Sequence, residues 1–95
     1  MNNENKPAKV VVVGCGYVGL TAAACLAELG HVVIGVENDV DRVVLLTQGK
    51  APFFEPGLDD LVASGLAAGQ ISFTSDLTTA VTDVDVVLIS VPTPS

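Results

Sequence analysis

The stretch Val10-Val11-Val12-Val13-Gly14-Cys15-Gly16-Tyr17-Val18-Gly19 constrains this chain more than any other. Four consecutive valines, β-branched and without polar alternation, are the pattern of a strand buried on both faces of a parallel sheet. The run stops at Gly14, and Gly16 and Gly19 complete a G-x-G-x-x-G spacing. Small and apolar residues then recur at helical intervals, so a strand, a tight turn and a helix follow one another. In such a turn Gly14 permits a sharp exit from the strand, and Gly16 lets a phosphate approach the backbone. Gly19 lets helix and strand pack closely. The first N–H groups of the helix then face an anion, here a dinucleotide pyrophosphate. Taken alone, the hexapeptide also fits a βα turn that is glycine-rich without a ligand, although the dinucleotide reading is the stronger one. The context supplies the discrimination.

Lys9 to Val13 reads as the first strand. A helix follows from about Tyr17 to Leu29, with Val18, Ala22, Cys25, Leu26 and Leu29 on its buried face and Gly30 just past its end. His31 to Val36 is again short and nearly all apolar, a second buried strand reached by a parallel crossover. Asn38-Asp39 caps a helix on which Val40, Val43, Val44 and Thr47 share a face before Gly49 ends it. Lys50 to Pro56 reads as a loop. Pro56-Gly57-Leu58 opens the next helix, with Pro56 near its first position, and Asp59 and Asp60 sit in the first turn where the dipole favours them. Leu58, Leu61, Val62 and Leu66 form its stripe, and Gly65 and Gly69 weaken and end it.

Ile71 to Thr74 alternates, as a strand at a sheet edge does. Ser75 or Asp76 caps a short helix through about Val81, and Val84 to Val91 forms a fourth strand before Pro92 and Pro94. Alternating strands and helices imply an α/β fold. The expected architecture is a partial Rossmann, doubly wound parallel sheet with strand order 3-2-1-4. It spans residues 8–95, behind a polar tail of residues 1–7.

Ninety-five residues make one small domain or part of a larger one. The chain is 49% hydrophobic, with a mean hydropathy of +0.58. That is high for a free-standing small domain and suits strands buried on both faces or a surface that expects a partner. A net charge of −7 argues against nucleic acid as a partner. It also requires that any anionic ligand be held by local backbone donors rather than by a global field. No apolar run approaches the roughly 18 residues of a membrane helix. Residues 1–7 carry no apolar signal region, so the cytoplasm is the expected setting. Cys15 and Cys25 are too few for a metal site, and both read as packing residues. The lone His31, at a strand entry, has no nucleophile or carboxylate in reach to make it catalytic.

A dinucleotide site asks for an acidic residue about 20 positions after the glycines, at the end of the second strand. Glu37 stands there. Its carboxylate suits ribose hydroxyls and repels a 2′-phosphate, which favours NAD over NADP; the alternative is a solvated loop carboxylate. Arg42, one turn into the next helix, reads equally as a contact at the adenine ribose end or as a solvated helix charge. In the first case it would also accommodate a 2′-phosphate. Thr93, in Val91-Pro92-Thr93-Pro94-Ser95, follows the fourth strand where open parallel sheets place their ligand crevice. It offers a hydroxyl to a ligand or belongs to a rigid proline exit. Tyr17 covers the dinucleotide or caps the helix.

Several segments together resemble the N-terminal domain of the UDP-glucose/GDP-mannose dehydrogenase family. They are Gly14 to Gly19, Ala24 to His31, Phe54-Glu55-Pro56-Gly57-Leu58, Phe73 to Leu77 and Val91 to Ser95, in the family's order and spacing. The resemblance implies an NAD-binding Rossmann domain with cofactor contacts at Gly14, Cys15, Gly16, Tyr17, Val18, Gly19, Glu37, Arg42, Val91, Pro92 and Thr93. Two positions depart from the family: Glu37 stands where Asp is usual, and Phe54 where Tyr is common. Family members oxidise the C6 alcohol of a nucleotide sugar to a carboxylate in two NAD-dependent steps through a cysteine thioester, in polysaccharide biosynthesis. The segments carrying that cysteine and its lysine and asparagine helpers have no counterpart here. Neither Cys15 nor Cys25 matches the nucleophile, so no catalytic residue is assigned.

Three functional readings follow. The chain is the NAD-binding portion of a nucleotide-sugar 6-dehydrogenase and inactive alone, or a stand-alone nucleotide-binding or self-associating module, or a remnant that folds and binds nothing. A fourth strand with no neighbour beyond it leaves an open edge, and self-association through that edge is expected.

Overall fold

Val10, Val11 and Val12 have almost no exposed surface, because β1 (Lys9–Val13) lies inside a four-stranded parallel sheet of order β3-β2-β1-β4. The computed structural model describes residues 6–52 and 55–90. The chain runs from β1 through α1 (Tyr17–Glu28), β2 (Val32–Val36), α2 (Val40–Thr47) and α3 (Leu58–Ala67). It continues into β3 (Ile71–Thr74), α4 (Leu77–Ala80) and β4 (Val86–Ile89). Val10 lies opposite Val33 and Val86, and Val13 opposite Val36 and Ile89. The strand order and the α/β architecture are those expected from the sequence, and the alternating Ile71–Thr74 segment is an edge strand of the described sheet.

Side chains of parallel register partners point to the same face, which divides the core in two. On one face Val10, Val12, Val33 and Ile71 meet Ala23 and Ala27 of α1. Leu20, Ala24, Leu46, Leu58 and Val62 extend that layer and join α1, α2 and α3. On the other face Val11 and Val36 are buried under Ala80 of α4, with Val13, Ile34 and Val84 half-buried beside them. Asp39 caps α2 by accepting from the N–H groups of Asp41 and Arg42, and Asp76 caps α4 by accepting from Thr79 N–H.

The buried face of α1 is not the expected one. Leu20, Ala23, Ala24 and Ala27 point inward with Gly19, whereas Val18 is 69% and Leu29 74% exposed. Cys25 is exposed as well, so it is not a core residue. Of the expected stripe only Leu26 packs against the core, half-buried. The helix is apolar on nearly every side, so periodicity offers more than one stripe. The alanines fit a close helix–sheet approach, and Leu20 fills the space beside them, where it packs with Leu46, Leu58 and Val62.

In α2, likewise, Leu46 is the buried residue, while Val40 and Val44 are exposed and Thr47 faces solvent. Arg42 and Val43 are half-buried beside Leu46. Pro56 lies outside α3, before a Gly57 cap at φ +86° that a side chain would strain. Gly65 does not end α3. A Cβ there would stand 2.8 Å from Ile71 Cγ2, so this glycine lets α3 settle onto β3. The fourth strand is shorter than expected, Val86–Ile89, and all four of its residues are exposed.

Cys15 and Cys25 thus sit in opposite environments. Cys15 is fully buried and its Sγ–H donates to the Val36 carbonyl at 3.8 Å. Burial, and then the Glu37 carboxylate, push its thiol up from 9.0 to about 12, with Arg42 working the other way. Between those two values the native state keeps a proton that the unfolded chain releases, so this contribution to stability is complete below pH 9.0 and is lost as pH rises towards 12. Replacing Cys15 by Ala should therefore flatten the decline of the urea midpoint above pH 9.0. A thiol reagent should label Cys25 in the native protein and Cys15 only on unfolding; equal labelling rates would contradict this burial.

Candidate functional site

The turn between β1 and α1 is held at both ends by backbone. Gly14 has φ +95°, and its N–H donates to the Val36 carbonyl at 2.8 Å. Gly16 is the extended N-cap residue of α1, and its carbonyl accepts the N–H of Leu20 at 2.8 Å. A Cβ on Gly19 would collide with the Gly14 carbonyl oxygen and lie 3.2 Å from Ser90 Cβ. A Cβ on Gly16 would meet nothing within 4 Å. Gly19 is therefore required by packing, whereas the absence of a side chain at Gly16 leaves open space beside the helix start. No side chain caps α1 and no acidic residue stands in its first turn, unlike α2 with Asp39 and Asp41. The positive end of the helix dipole is left facing that space, which is the arrangement an anion requires.

Glu37 directly follows β2 and is 9% exposed. Its Oε1 accepts the Cys15 N–H at 3.2 Å and its Oε2 the Asp39 N–H at 3.0 Å. One carboxylate thus joins the turn after β1 to the turn after β2, and each oxygen keeps acceptor capacity for a ligand hydroxyl. Beside it lies a cleft of about 240 Å³ at the carboxyl ends of the first three strands. Val13 and Gly14 form one wall, Glu37 and Asn38 another, and Ser75 and Leu77 a third. An apolar wall, a hydroxyl and a carboxylate in a space of this kind suit a purine nucleoside, the base against Leu77 and the ribose towards Glu37.

Arg42 is half-buried, and its charge acts on the Cys15 thiol, so it stands on the side of the turn. Tyr17 opens α1 without capping it. Its hydroxyl donates to Glu55 Oε1 at 3.2 Å, and its carbonyl accepts the Thr21 hydroxyl at 2.7 Å. The Glu55 carboxylate, by that hydrogen bond and by its charge, raises the pKa of the phenol.

The fold therefore brings Gly14, Cys15, Gly16, Tyr17, Val18, Gly19, Glu37 and Arg42 to one end of the sheet. Val18 points outward, so what it can offer there is its backbone. Val91, Pro92 and Thr93 lie outside the described residues. Ser90, which precedes them, donates its N–H to the Val13 carbonyl at 2.7 Å. Sequence reasoning missed Asn38, Ser75 and Leu77. The signal was available, because the rule that ligands sit beyond strand carboxyl ends applies to β3 as it does to β2 and β4. His31 lies at the opposite end of the sheet, where its Nδ1 accepts the Ala8 N–H at 3.0 Å, a structural role. Among the described residues no group of three or more His, Cys, Asp or Glu could hold a metal ion. Nor is any described helix long and apolar enough to cross a membrane.

Comparison with known proteins agrees with this geometry. The sequence profile of the UDP-glucose/GDP-mannose dehydrogenase family, NAD binding domain, matches residues 8–95. UDP-glucose 6-dehydrogenase of Rhizobium meliloti is 51% identical over 87 residues, which is 92% of this chain and 20% of that protein. The structure of a ternary complex of GDP-mannose dehydrogenase from Pseudomonas aeruginosa superimposes with a TM-score of 0.88 at 45% identity, over 90% of this chain and 20% of that one. A UDP-glucose dehydrogenase from Pyrobaculum islandicum gives the same TM-score at 33% identity, over 96% and 21%. The chain spans about a fifth of the length of the relatives it matches. With a glycine turn open to an anion and a carboxylate at its side, it belongs to the UDP-glucose/GDP-mannose dehydrogenase family, as an NAD-binding domain of that family.

Proposed function

We propose that this chain grips the adenosine and pyrophosphate half of NAD for a nucleotide-sugar 6-dehydrogenase. The observation that carries the reading is the placement of Glu37, bonded to the N–H of Cys15 and standing at the rim of the cleft. In this reading the backbone of Gly14, Cys15, Gly16, Tyr17, Val18 and Gly19 receives the pyrophosphate, Glu37 the ribose hydroxyls, and Leu77 and Ser75 the adenine. Arg42 adds positive charge on the same side, and Val91, Pro92 and Thr93 serve the cofactor beyond β4. Residues 8–95 then form the N-terminal part of the dinucleotide domain, with residues 1–7 as an appendage.

When bound, NAD supplies a hydride acceptor, and two such oxidations turn a C6 alcohol into a carboxylate. This chain orients the cofactor and contributes no nucleophile. Cys15 is buried with its thiol pushed up to about 12, the opposite of what a thiolate needs. The sugar is chosen elsewhere, since relatives named for UDP-glucose and for GDP-mannose are 51% and 45% identical to this chain. We place the parent activity in the cytoplasm, in polysaccharide biosynthesis; two unpaired cysteines fit a reducing compartment.

Calorimetric titration of the chain with NAD, ADP-ribose and NADP tests the reading. NAD and ADP-ribose should bind with similar affinity, because both present the half that is gripped here. NADP should bind at least about tenfold more weakly, since its phosphate meets the Glu37 carboxylate, and Glu37→Gln should reduce that gap. NADP binding as well as NAD, or no heat from any of the three at millimolar concentration, would sink the reading.

A second observation bears on partners. Val86, Val87, Leu88 and Ile89 are all exposed, and β4 is an edge of the described sheet with no charge within the strand. We propose that a second copy pairs along this edge, since a strand of this kind offers unpaired backbone groups and apolar side chains together. Light scattering of the 95-residue chain at micromolar concentration should give a dimer, and Leu88→Lys a monomer. A wild-type monomer would refute the pairing.

A further inference from the structure

The residue that opens the pyrophosphate helix is tied by its side chain to a distant loop. Tyr17 is the first residue of α1, and its hydroxyl donates to Glu55 Oε1 at 3.2 Å, 38 positions further on. Glu55 is fixed in turn, because its carbonyl accepts the Leu58 N–H at 3.1 Å at the start of α3. On the other side of the same loop the Ala51 N–H donates to Asp59 Oδ1 at 2.8 Å, also on α3. The helix start and the loop bound a groove of about 320 Å³, with Thr21 on one side and Pro56 and Leu61 on the other.

A glycine turn whose helix lacks a side-chain cap has few restraints of its own. Its near end is held by Gly14 on Val36 and by Glu37 on Cys15. The far end, where the helix N–H groups begin, is held by the Leu20 N–H on the Gly16 carbonyl, and the side-chain tie added there is the Tyr17 phenol on Glu55. We propose that Glu55 is a positioning residue for the cofactor: by fixing the Tyr17 hydroxyl it sets the direction of the N–H groups that open α1, and thereby the affinity for the dinucleotide. The inference rests on the NAD reading above. Its physical basis is preorganisation, since donors already aimed at the ligand do not lose freedom when it binds. The relevant property of Glu55 is an acceptor oxygen at the right place; its negative charge beside a pyrophosphate brings no benefit.

Three variants separate these features. Glu55→Gln keeps an acceptor oxygen and removes the charge, Glu55→Ala removes both, and Tyr17→Phe removes the donor. In calorimetry, Glu55→Ala and Tyr17→Phe should each weaken NAD about three- to tenfold, the effect of one hydrogen bond, and the double variant should be no weaker than either. Glu55→Gln should stay within about twofold of wild type. In amide NMR of the ligand-free protein, Glu55→Ala and Tyr17→Phe should shift the Gly16, Tyr17, Val18 and Gly19 signals, and Glu55→Gln should leave them in place. Unaltered affinity in Glu55→Ala, or a Glu55→Gln that behaves like Glu55→Ala, overturns the proposal. If the wild type binds no NAD, the functional reading fails by itself. The NMR comparison then still decides Glu55, because shifts confined to the loop would show that nothing passes to the turn.

Discussion

Where Gly19 passes the Gly14 carbonyl oxygen there is no room for a Cβ atom, and the Ser90 side chain closes the same space from β4. That contact brings α1 down onto the carboxyl ends of β1 and β4. Once the helix lies so low, small residues suit the positions against the strands, and Ala23, Ala24 and Ala27 line the inner face together with Leu20. The same close approach fixes the crossover to β2, since the Gly14 N–H already reaches the Val36 carbonyl. A methyl group at Gly19 would lift the helix, open the alanine layer and move the anion-facing N–H groups together. Packing and ligand geometry therefore rest on one clearance.

The electrostatics follow from the same turn. An acidic chain of net charge −7 would repel a dinucleotide if binding depended on its overall field. The site instead uses fixed dipoles at close range, where α1 presents neither a capping carboxylate nor an acid in its first turn. Glu37, the acidic group bonded to the backbone of the turn among the described residues, is turned towards N–H groups on both sides. Its charge is thereby partly met by backbone donors, and its outer lone pairs are left for hydroxyls rather than phosphates. Repulsion by the rest of the chain is further reduced by solvent and salt, because exposed charges beyond a Debye length of about 8 Å are largely screened.

Much of this was legible in the residues alone, for definite reasons. The valine run has one reasonable structural meaning, the glycine spacing and Glu37 gain theirs from that strand and from each other, and β1, the turn and the end of β2 lie where the combination puts them. The strand order is that of the Rossmann architecture to which the alternating strands and helices and the glycine turn point. The face of α1 was not legible, because apolar residues on nearly every side of a helix do not say which side is inward. There the deciding quantity was the distance between helix and sheet, which belongs to the tertiary structure. The end of β3 was within reach of the rule that places ligands beyond strand carboxyl ends, but that Ser75 and Leu77 line the cleft comes from lying across the sheet from Gly14, a neighbour 61 and 63 positions away in the chain. The Tyr17–Glu55 tie has no sequence pattern at all.

The misassigned stripe of α1 also explains the composition. Val18, Cys25 and Leu29 are exposed on the outside of the helix, and β4 exposes all four of its side chains. In the sheet register Val86 and Leu88 are partners of Val10 and Val12 and so share the face on which α1 lies. Val87 and Ile89 share the opposite face with Val11 and Val13. Two surfaces of the molecule thus carry residues that elsewhere in this sheet are buried, and they account for a mean hydropathy of +0.58 that a self-sufficient domain of this size would not need. The nucleotide end of the sheet shows the contrary pattern, with Glu37 and Ser75 around one apolar wall. The exposed apolar surface and the glycine turn meet at β4. Its carboxyl end touches the glycine turn through Ser90 and Gly19, so a contact on β4 also bears on the position of that turn.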